Sequence, residues 1–498
     1  MADELNSLTS TGVLTPQSTQ IAGNVGERPW YDRPLLMLLV LAVPMLIQIT
    51  PWWQPADDAI GYLSLARTIA DGSPLRMLGS PVLHYAIGYP LLIVPTFYFS
   101  QLPLLQILGL NFAFAMLTAY GVYLWARRYV AGTAFFIAGL TLWNASYWDL
   151  YRQPLSETAF LAALIWSGLA CRRLLEAKGT RQIILLTIVA ALSLIVVSTI
   201  RQVGIFLAAG YGVAAIVAVL RRESSWTKAI WTTLGVGMPA SALLVVLLLI
   251  YRSMAQGHSD AHTYVDLIID PNMTFAQQLI ESVRLRMAEI GRQLLPGLFK
   301  AYGHQGEWLN INTIIYAVVT VAIMYAWWKL VIADNDVMVL TFPFYVAVYL
   351  LWPFDQGTRF MAPMLPVLWL CAWRLVANRA TTLNRLFAGL LVAHLAQCLL
   401  YFGVYLAAAQ KNTADLNALI ELKPSFNDNR FVVCGVGISR QTEMFVNLLL
   451  DRRIPIVKAG EVPEQQAKWA ITEGADATVP GFDVEHHVGR ITLFVRRD

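Results

Sequence analysis

The chain has 498 residues, of which 57% are hydrophobic and only 14% charged, and its mean hydropathy is +0.54. A water-soluble globular protein of this length does not carry so large an apolar excess, so the composition predicts a polytopic membrane protein. The formal net charge of +4 is small, and the sequence shows no basic footprint that would indicate a nucleic-acid partner.

The first 33 residues are polar and rich in Ser, Thr and Gln. They lack the layout of a signal peptide, so we expect a flexible tail. From residue 34 onwards, apolar windows of about the 20 residues that a membrane-spanning helix needs recur with short joints between them. We predict about eleven spans, near residues 34–51, 104–126, 132–148, 158–175, 183–200, 203–220, 229–250, 311–331, 337–353, 363–378 and 385–408.

One apolar segment, IGYPLLIVPTFYFSQLP at residues 87–103, is interrupted by Pro90, Pro95 and Pro103. Counting it as a crossing would move the basic pair at residues 127–128 to the outer face. We therefore interpret it as a juxtamembrane or re-entrant helix, which needs protein around its freed backbone groups.

The distribution of Lys and Arg predicts the orientation. With a cytoplasmic N-terminus, 15 of the 36 Lys and Arg residues fall in short cytoplasmic joints, as the positive-inside rule expects. We predict an integral protein of a bacterial-type cell membrane, with loops 52–103 and 251–310 on its outer face.

The last part of the chain has a different character. NRFVVCGVG, IPIVKAG and ITLFVRR have strand patterns, and RQTEMFVNLLLDRR has helical spacing. We therefore predict three domains: a cytoplasmic tail at 1–33, a transmembrane domain at 34–409, and a small soluble α/β domain at 410–498 on the outer face.

Two adjacent acids, Asp57 and Asp58, follow the first span where Trp52 and Trp53 mark the membrane interface. Apolar residues downstream repeat at helical spacing, which predicts a helix along the bilayer surface that the acids cap. Capping alone would explain the acids. The chemical alternative is that two carboxylates at the rim of an apolar cavity repel each other and are partly desolvated, which favours taking a proton from a hydroxyl.

Four motifs occur in one order between residues 50 and 370. They are the acid pair followed by GYPLL, the element PLSET at residues 154–158, TIRQVG at residues 199–204, and FDQGTRF at residues 354–360 with two prolines behind it. Together they resemble the GT-C class of integral-membrane glycosyltransferases, in particular the branch with protein mannosyltransferases and aminoarabinose transferases. TIRQVG is one residue longer than the family element, and Phe360 replaces a Tyr.

The resemblance implies a GT-C-like fold and an inverting glycosyltransferase that moves a sugar from a polyprenyl-phosphate carrier to an acceptor on the outer side. It makes Asp57 the leading general base. Asp58 stands where the family more often has Glu, and the roles of second base, metal ligand and helix cap stay open. Glu157 either orients acceptor or metal, or only stabilises the start of a helix capped by Ser156.

The leaving lipid phosphate requires positive charge near the bilayer surface. Arg201 and Arg359 lie near outer span ends and are the candidates for binding it, the alternative being contacts with lipid headgroups. Tyr62, Tyr89 and His84 lie in the first outer loop and are candidates for contacts with the substrate, although interfacial tyrosines are also typical of membrane proteins.

A divalent metal ion is the one cofactor that the sequence suggests. His258 and His262 are four residues apart with Asp260 between them, which on a helix would place both rings on one face. The carboxylates of the first outer loop offer a second place for such an ion.

The acceptor is predicted only by class: a lipid-linked glycan, another lipid or a protein. A transporter or flippase of lipid-linked glycans is an alternative function, but it would predict internal two-fold repeats and paired broken helices, which the sequence lacks. A glycan polymerase or ligase would use Arg and His residues of a long outer loop, and the segment 258–304 keeps that alternative open.

Overall fold

The computed structural model describes residues 33–80, 85–130, 133–255, 274–286, 289–295, 311–351, 359–376, 380–426, 432–436, 438–451, 454, 456–457, 467–473, 479–480 and 482–496. The first half of the chain contributes the helices α1 Pro34–Ile47, α2 Asp57–Ala70, α3 Gly88–Ile93, α4 Leu104–Ala126, α5 Ala134–Leu142, α6 Ala145–Tyr151, α7 Ser156–Glu176, α8 Thr180–Ile200, α9 Phe206–Leu220 and α10 Trp226–Ala255. The second half adds the helices α11 Phe275–Arg286, α12 Glu289–Leu294, α13 Ile311–Ala333, α14 Val337–Leu351, α15 Leu365–Val376 and α16 Ala380–Phe426. Short 3₁₀ helices lie at Val94–Tyr98, Gln202–Ile205 and Ala362–Met364.

Seven helices in the described ranges are long and apolar enough to cross a membrane. They are α4, α7, α8, α9 with its preceding 3₁₀ turn, α10, α13 and α16. Three shorter apolar helices accompany them: α1, α14, and α15 with its preceding 3₁₀ turn. The chain is therefore an integral membrane protein, and the predicted fold class, a helical polytopic bundle with a small C-terminal α/β domain, is confirmed.

The structure differs from the predicted spans in two places. The predicted span at residues 132–148 is two helices, because the side chain of Asn144 accepts a hydrogen bond from the backbone N–H of Ser146 (3.0 Å) and starts α6. The last predicted span ends at residue 408, but α16 continues without a break to Phe426. The next described element after this helix is the first strand of the C-terminal domain, which begins at Val432.

Three of the basic joints, those with Arg128, Arg172 and Arg221, meet at one end of the bundle. Arg128 and Arg172 both pair with Glu176, at 2.9 and 3.0 Å, and Arg221 donates to the backbone carbonyl of Ile332 (2.7 Å). Glu176 is the last residue of α7, so the N-terminus of that helix lies at the opposite end. The orientation of the bundle in a membrane stays a prediction, which requires that these three joints share one end.

The proline-interrupted segment forms two short pieces rather than one helix. The helix α3 ends at Ile93, and the 3₁₀ turn Val94–Tyr98 follows with Pro95 in its first positions. Pro95 has no N–H for an α-helical hydrogen bond, which explains the change of helix type. The segment is too short to cross a membrane, in keeping with the predicted juxtamembrane helix.

Gly88 allows this segment to touch the end of α8. A Cβ atom at position 88 would lie 2.5 Å from the carbonyl carbon of Thr199 and 2.6 Å from the amide nitrogen of Ile200. Both are backbone atoms, so a side chain at this position would have to push apart the two segments.

We therefore expect Gly88→Ala to destabilise the protein by about 1–3 kcal/mol, because the new methyl group overpacks a backbone contact. The thermal unfolding midpoint of the purified protein in detergent measures this effect. The matched control is Gly109→Ala in α4, where a Cβ would meet nothing within 4 Å. An unchanged midpoint for Gly88→Ala would contradict the close contact.

The C-terminal domain is a five-stranded sheet with one helix. Its elements are β1 Val432–Val436, α17 Arg440–Leu450, β2 Ile456–Val457, β3 Ala467–Glu473, β4 Phe482–Val488 and β5 Ile491–Arg496. The strand order is β2-β1-β3-β5-β4, with β1 parallel to β2 and β3, and with β5 antiparallel to β3 and β4. The predicted helix and three strands are present, whereas β3 and β4 were not predicted.

The helix α17 packs on α2, which begins with the acid pair. Ser64 donates to the carboxylate of Asp451 (2.5 Å), and the Arg67 guanidinium donates to the backbone carbonyl of Leu448 (2.9 Å). Upstream of α2, the Trp53 ring lies 5.8 Å from the Phe445 ring. The C-terminal domain therefore lies at the end of the bundle opposite to the basic joints.

Candidate active site

The acid pair lies in the first turn of α2, where the helix dipole favours negative charge. The predicted capping role is wrong: Ala56 is the N-cap residue, and no side chain caps the helix. The reason is that both carboxylates have other partners, and these partners differ. Successive residues on a helix point about 100° apart, so two neighbouring acids reach different surroundings.

Asp58 points into the bundle. Its side chain is 22% exposed, its Oδ1 accepts a hydrogen bond from the Tyr85 hydroxyl (2.7 Å), and its Oδ2 lies 2.5 Å from Nη1 of Arg359. Asp58 is therefore held by a tyrosine 27 residues away and by an arginine 301 residues away in the sequence.

Glu157 lies at the centre of the site, in the first turn of α7, with a side chain that is 2% exposed. Its Oε1 contacts Nη1 of Arg201 at 2.5 Å and also accepts from Nε of Arg359. Its Oε2 has no hydrogen-bond partner among the described residues. Burial of a carboxylate is costly unless it is paired, and the two arginines supply that pairing.

Arg359 links the two acids, since it uses Nη1 for Asp58 and Nε for Glu157. Its Nη2 makes no hydrogen bond with any described residue. Burial opposes the charged form of this guanidinium, but Glu157 and Asp58 outweigh that effect and the pKa of Arg359 is raised above its ordinary value. Arg359 therefore stays positively charged.

Arg201 follows the last residue of α8. Its guanidinium lies 5.3 Å from the centre of the Phe360 ring and 5.9 Å from that of Phe160. Ring faces attract a cation at this distance and hold the side chain against Glu157. We call the four charged residues Asp58, Glu157, Arg201 and Arg359 the Glu157 cluster.

Three tyrosines form an aromatic wall beside the cluster. The Tyr62 ring lies 4.7 Å from the Tyr85 ring and 5.1 Å from the Tyr89 ring. The Tyr62 hydroxyl shares a hydrogen bond with the hydroxyl of Ser156 (3.0 Å), so Ser156 does not cap α7 as predicted. Burial raises the pKa of Tyr62 to about 12, which keeps its hydroxyl protonated at physiological pH.

Tyr89 is fully buried, and its hydroxyl has no partner among the described residues. A buried hydroxyl without a partner is costly, so the Tyr89 hydroxyl favours binding of a polar group. The Tyr89 hydroxyl and Oε2 of Glu157 are therefore two polar atoms of this region that can form hydrogen bonds with a bound substrate.

Asp57 lies outside the cluster, at the boundary with the C-terminal domain. Its Oδ2 lies 3.0 Å from Nη2 of Arg440, the first residue of α17, and both side chains are 59% exposed. Arg440 also pairs with Glu443 (2.8 Å). An ion pair this exposed contributes little stability, so the Asp57 carboxylate is readily available to another partner.

Four predicted site residues lie outside the described residues: His84, His258, Asp260 and His262. The predicted metal site at residues 258–262 is therefore not described by the structure. Within the described ranges, no three His, Cys, Asp or Glu side chains form a group that could hold a metal ion. The acids of the Glu157 cluster are already paired with arginines, so these residues do not fit a divalent cation, which needs several oxygen ligands.

Three contacts at the site involve a residue that was not predicted to belong to it: those of Tyr85 with Asp58, Ser156 with Tyr62, and Arg440 with Asp57. Tyr85 had a sequence signal, because it stands between the acid pair and GYPLL in the first outer loop. Arg440 had none, because it is 383 residues from its partner.

The fold has counterparts among solved structures. The aminoarabinose transferase ArnT from Cupriavidus metallidurans bound to undecaprenyl phosphate superposes with a TM-score of 0.56 at 12% identity, over 94% of this chain and 98% of that protein. Its apo form gives a TM-score of 0.55 at 12% identity, over 92% and 97% of the two chains. The oligosaccharyltransferase from Archaeoglobus fulgidus in complex with Zn and sulfate gives 0.50 at 11% identity, over 88% and 68%.

No protein-family model matches the sequence, and no curated protein sequence matches it significantly. The structural likeness therefore concerns the fold, which is that of GT-C membrane glycosyltransferases, as the four motifs predicted.

Proposed function

We propose that this protein is an inverting glycosyltransferase that moves a sugar from a polyprenyl-phosphate carrier to an acceptor hydroxyl or amine. The observation that carries the proposal is the Glu157 cluster, in which two arginines are fixed by the buried Glu157 and by Asp58 at one end of a membrane bundle. A lipid phosphate that enters from the bilayer would meet guanidinium donors at this end.

The arginines would stabilise the leaving group. As the bond between the anomeric carbon and the phosphate oxygen breaks, its electron pair stays on the phosphate, and negative charge develops there. Arg201 and Arg359 are held in place before the reaction by Glu157, so no reorganisation is needed when the charge develops.

The general base is proposed to be Asp57. It would take the proton of the acceptor while the acceptor oxygen or nitrogen forms the new bond to the anomeric carbon from the face opposite the phosphate. Asp58 is less suited to this role, because Arg359 and Tyr85 already hold its carboxylate. Among the described residues Asp57 has one ion pair, with Arg440, and this pair is exposed and therefore weak.

Asp58 and Glu157 are then positioning residues for the arginines, and Tyr62 and Tyr89 form the wall against which the donor lies. His84 is proposed to contact the same donor. A divalent metal at His258, Asp260 and His262 is proposed as a separate site, and no step of this mechanism depends on it.

Two further observations support a polyprenyl-phosphate donor and the proposed orientation of the bundle in the membrane. The ArnT structure with the same fold contains undecaprenyl phosphate, a polyprenyl-phosphate carrier. Three of the basic joints lie at the end of the bundle opposite to the cluster, and the positive-inside rule assigns that end to the cytoplasm. The active site and the C-terminal domain would accordingly lie on the outer face of the cell membrane, the N-terminus in the cytoplasm.

The test uses full-length protein in lipid vesicles with a panel of synthetic, radiolabelled undecaprenyl-phosphate sugars. Acceptors are offered by class: a lipid-linked glycan, a membrane lipid and a protein extract. We expect transfer by the wild type, with inversion at the anomeric carbon. Absence of transfer from every donor would contradict the proposal and favour a transporter.

Asp57→Asn is expected to lower kcat by about 10²–10⁴-fold with donor binding retained, because only the proton acceptor is lost. Asp58→Asn is expected to raise the donor KM, because Arg359 loses one of its two anchors. Asp71→Asn is the matched control, since Asp71 is an exposed Asp at the other end of α2. Full activity of Asp57→Asn would remove Asp57 from the base role.

A further inference from the structure

A polar network in the apolar bundle joins the segment before α2 to the start of α7. Its centre is Gln153, which lies in the turn between α6 and α7. The side-chain oxygen of Gln153 accepts a hydrogen bond from Nε1 of Trp53 (3.0 Å), and its side-chain nitrogen donates to the backbone carbonyl of Gln54 (2.6 Å). Gln153 therefore holds the segment directly before the acid pair by two hydrogen bonds.

Asn111 fixes the turn in which Gln153 lies. It is fully buried in α4, and its side-chain nitrogen donates to the backbone carbonyls of Tyr151 and Gln153, both at 2.9 Å. Its side-chain oxygen accepts from the hydroxyl of Thr158 (3.2 Å), the residue after Glu157. A polar side chain in an apolar helix is costly unless its groups are bonded, and these three bonds offset that cost. The turn and the start of α7 are therefore held as one unit.

The segment before α2 is also fixed from its other side, by α16. The backbone N–H of Trp53 donates to the hydroxyl of Thr413 (2.9 Å), and that of Gln54 donates to the hydroxyl of Tyr405 (3.3 Å). The Trp53 side chain is buried. A segment bonded on both sides has little freedom to shift, so Gln153 can define where α2 starts relative to α7.

Other contacts of α2 involve the residues proposed to meet the donor. One is the ion pair of Asp58 with Arg359, and another is the hydrogen bond of Tyr62 with Ser156. A bound phosphate competes with the acid for the guanidinium, which weakens the first of these contacts. The hydrogen bonds of Gln153 join neutral groups away from the cluster, so donor binding leaves them in place.

We propose that Gln153 is a positioning residue for the glycosyl transfer. It fixes the start of α2, which bears the base Asp57, relative to the start of α7, where Glu157 holds the arginines. This role rests on the proposed function, in which Asp57 takes a proton while the phosphate leaves. The acceptor must approach the anomeric carbon in line with the leaving phosphate, so the base and the arginines need a fixed separation.

The first test is Gln153→Met, which keeps the length of the side chain and removes both hydrogen bonds. In the transfer assay with full-length protein in lipid vesicles, we expect kcat to fall by about 10–10²-fold, the loss typical of a small misplacement. The donor KM should stay unchanged, because Glu157 and its arginines keep their contacts. The matched control is Gln106→Met, at an exposed position in the first turn of α4, and it should change neither constant.

Trp53→Phe weakens the same connection from the other side, and it serves also if Gln153→Met fails to fold. It deletes the Nε1–H donor and keeps an aromatic ring beside Phe445. We expect a smaller loss of kcat, because Gln153 keeps its hydrogen bond to the carbonyl of Gln54. The double variant should have the kcat of Gln153→Met alone, since both changes act on one contact.

The role of Gln153 is overturned if Gln153→Met transfers sugar with the kcat of the wild type. It is also overturned if only the donor KM changes, or if the two losses multiply in the double variant. In each of these cases transfer by the wild type still supports the proposed function. Absence of transfer by the wild type would overturn both the proposed function and the role of Gln153, so the two failures are distinguishable.

Discussion

Glu157→Gln is expected to destabilise the protein by about 3–5 kcal/mol and to abolish sugar transfer. The substitution removes the negative charge that contacts both arginines while leaving the shape of the side chain nearly unchanged. Arg201, whose side chain is 13% exposed, would then have no acid partner among the described residues. Breaking a buried ion pair by removing one partner leaves an uncompensated charge, and that charge accounts for the magnitude.

The thermal unfolding midpoint in detergent and the transfer assay in vesicles measure the two effects separately. The matched control is Glu176→Gln, a change of the same type at the other end of α7. Glu176 is 52% exposed and its ion pairs with Arg128 and Arg172 lie at the surface, so we expect a change of about 1 kcal/mol or less. Equal midpoints for the two variants would show that Glu157 does not hold the arginines together.

Arg359→Gln is expected to lower kcat/KM for transfer by about 10²–10³-fold with a smaller loss of stability than Glu157→Gln. Without Arg359, Asp58 keeps the hydrogen bond from Tyr85 and Glu157 keeps its ion pair with Arg201, so neither acid is left alone. The loss of activity has the size usual for removal of one group that stabilises developing charge.

Arg359→Lys should recover only part of this loss. A guanidinium reaches Asp58 and Glu157 from two different nitrogens, whereas an ammonium has a single nitrogen and no planar fork. Arg374→Gln serves as the control, because Arg374 is exposed in the last turn of α15. Full recovery by Lys would indicate that only the charge matters and that the geometry of the cluster does not.

The candidate site shows which kind of information the sequence contains. Asp58, Glu157, Arg201 and Arg359 each belong to one of the four motifs, so all four were named before their positions in space were known. Their partners were not predicted, because pairing depends on which helix ends meet. The starts of α2 and α7, the end of α8 and the turn before α15 converge at one end of the bundle.

The acid pair also shows that the sequence can name residues of a site without predicting their partners. The sequence could place both acids at the start of a surface helix, since apolar spacing is a local property. It could not assign Asp58 to the interior and Asp57 to the C-terminal domain. That assignment follows from the rotation of α2 about its axis. The contacts that Ser64 and Arg67 make with the α17 region stabilise this rotation.

In the C-terminal domain, β1 and α17 were predicted because an apolar run and a helical period are visible in consecutive residues. The strands β3 and β4 were missed. Five of the seven residues of β4 are exposed, and its alignment depends on hydrogen bonds to β5 rather than on an apolar pattern of its own. Edge strands of this kind are specified by the neighbouring strand.

The sequence by itself determined that this is a helical membrane protein and where most of its helices lie, and it named the four charged residues of the Glu157 cluster as candidates. These properties depend on hydropathy and on spacing over a few turns, which are set by neighbouring residues. Only the tertiary structure decided which acid meets which arginine and that Arg440 faces Asp57. Those facts depend on contacts between residues far apart in the chain, and such contacts exist only after the helices have packed.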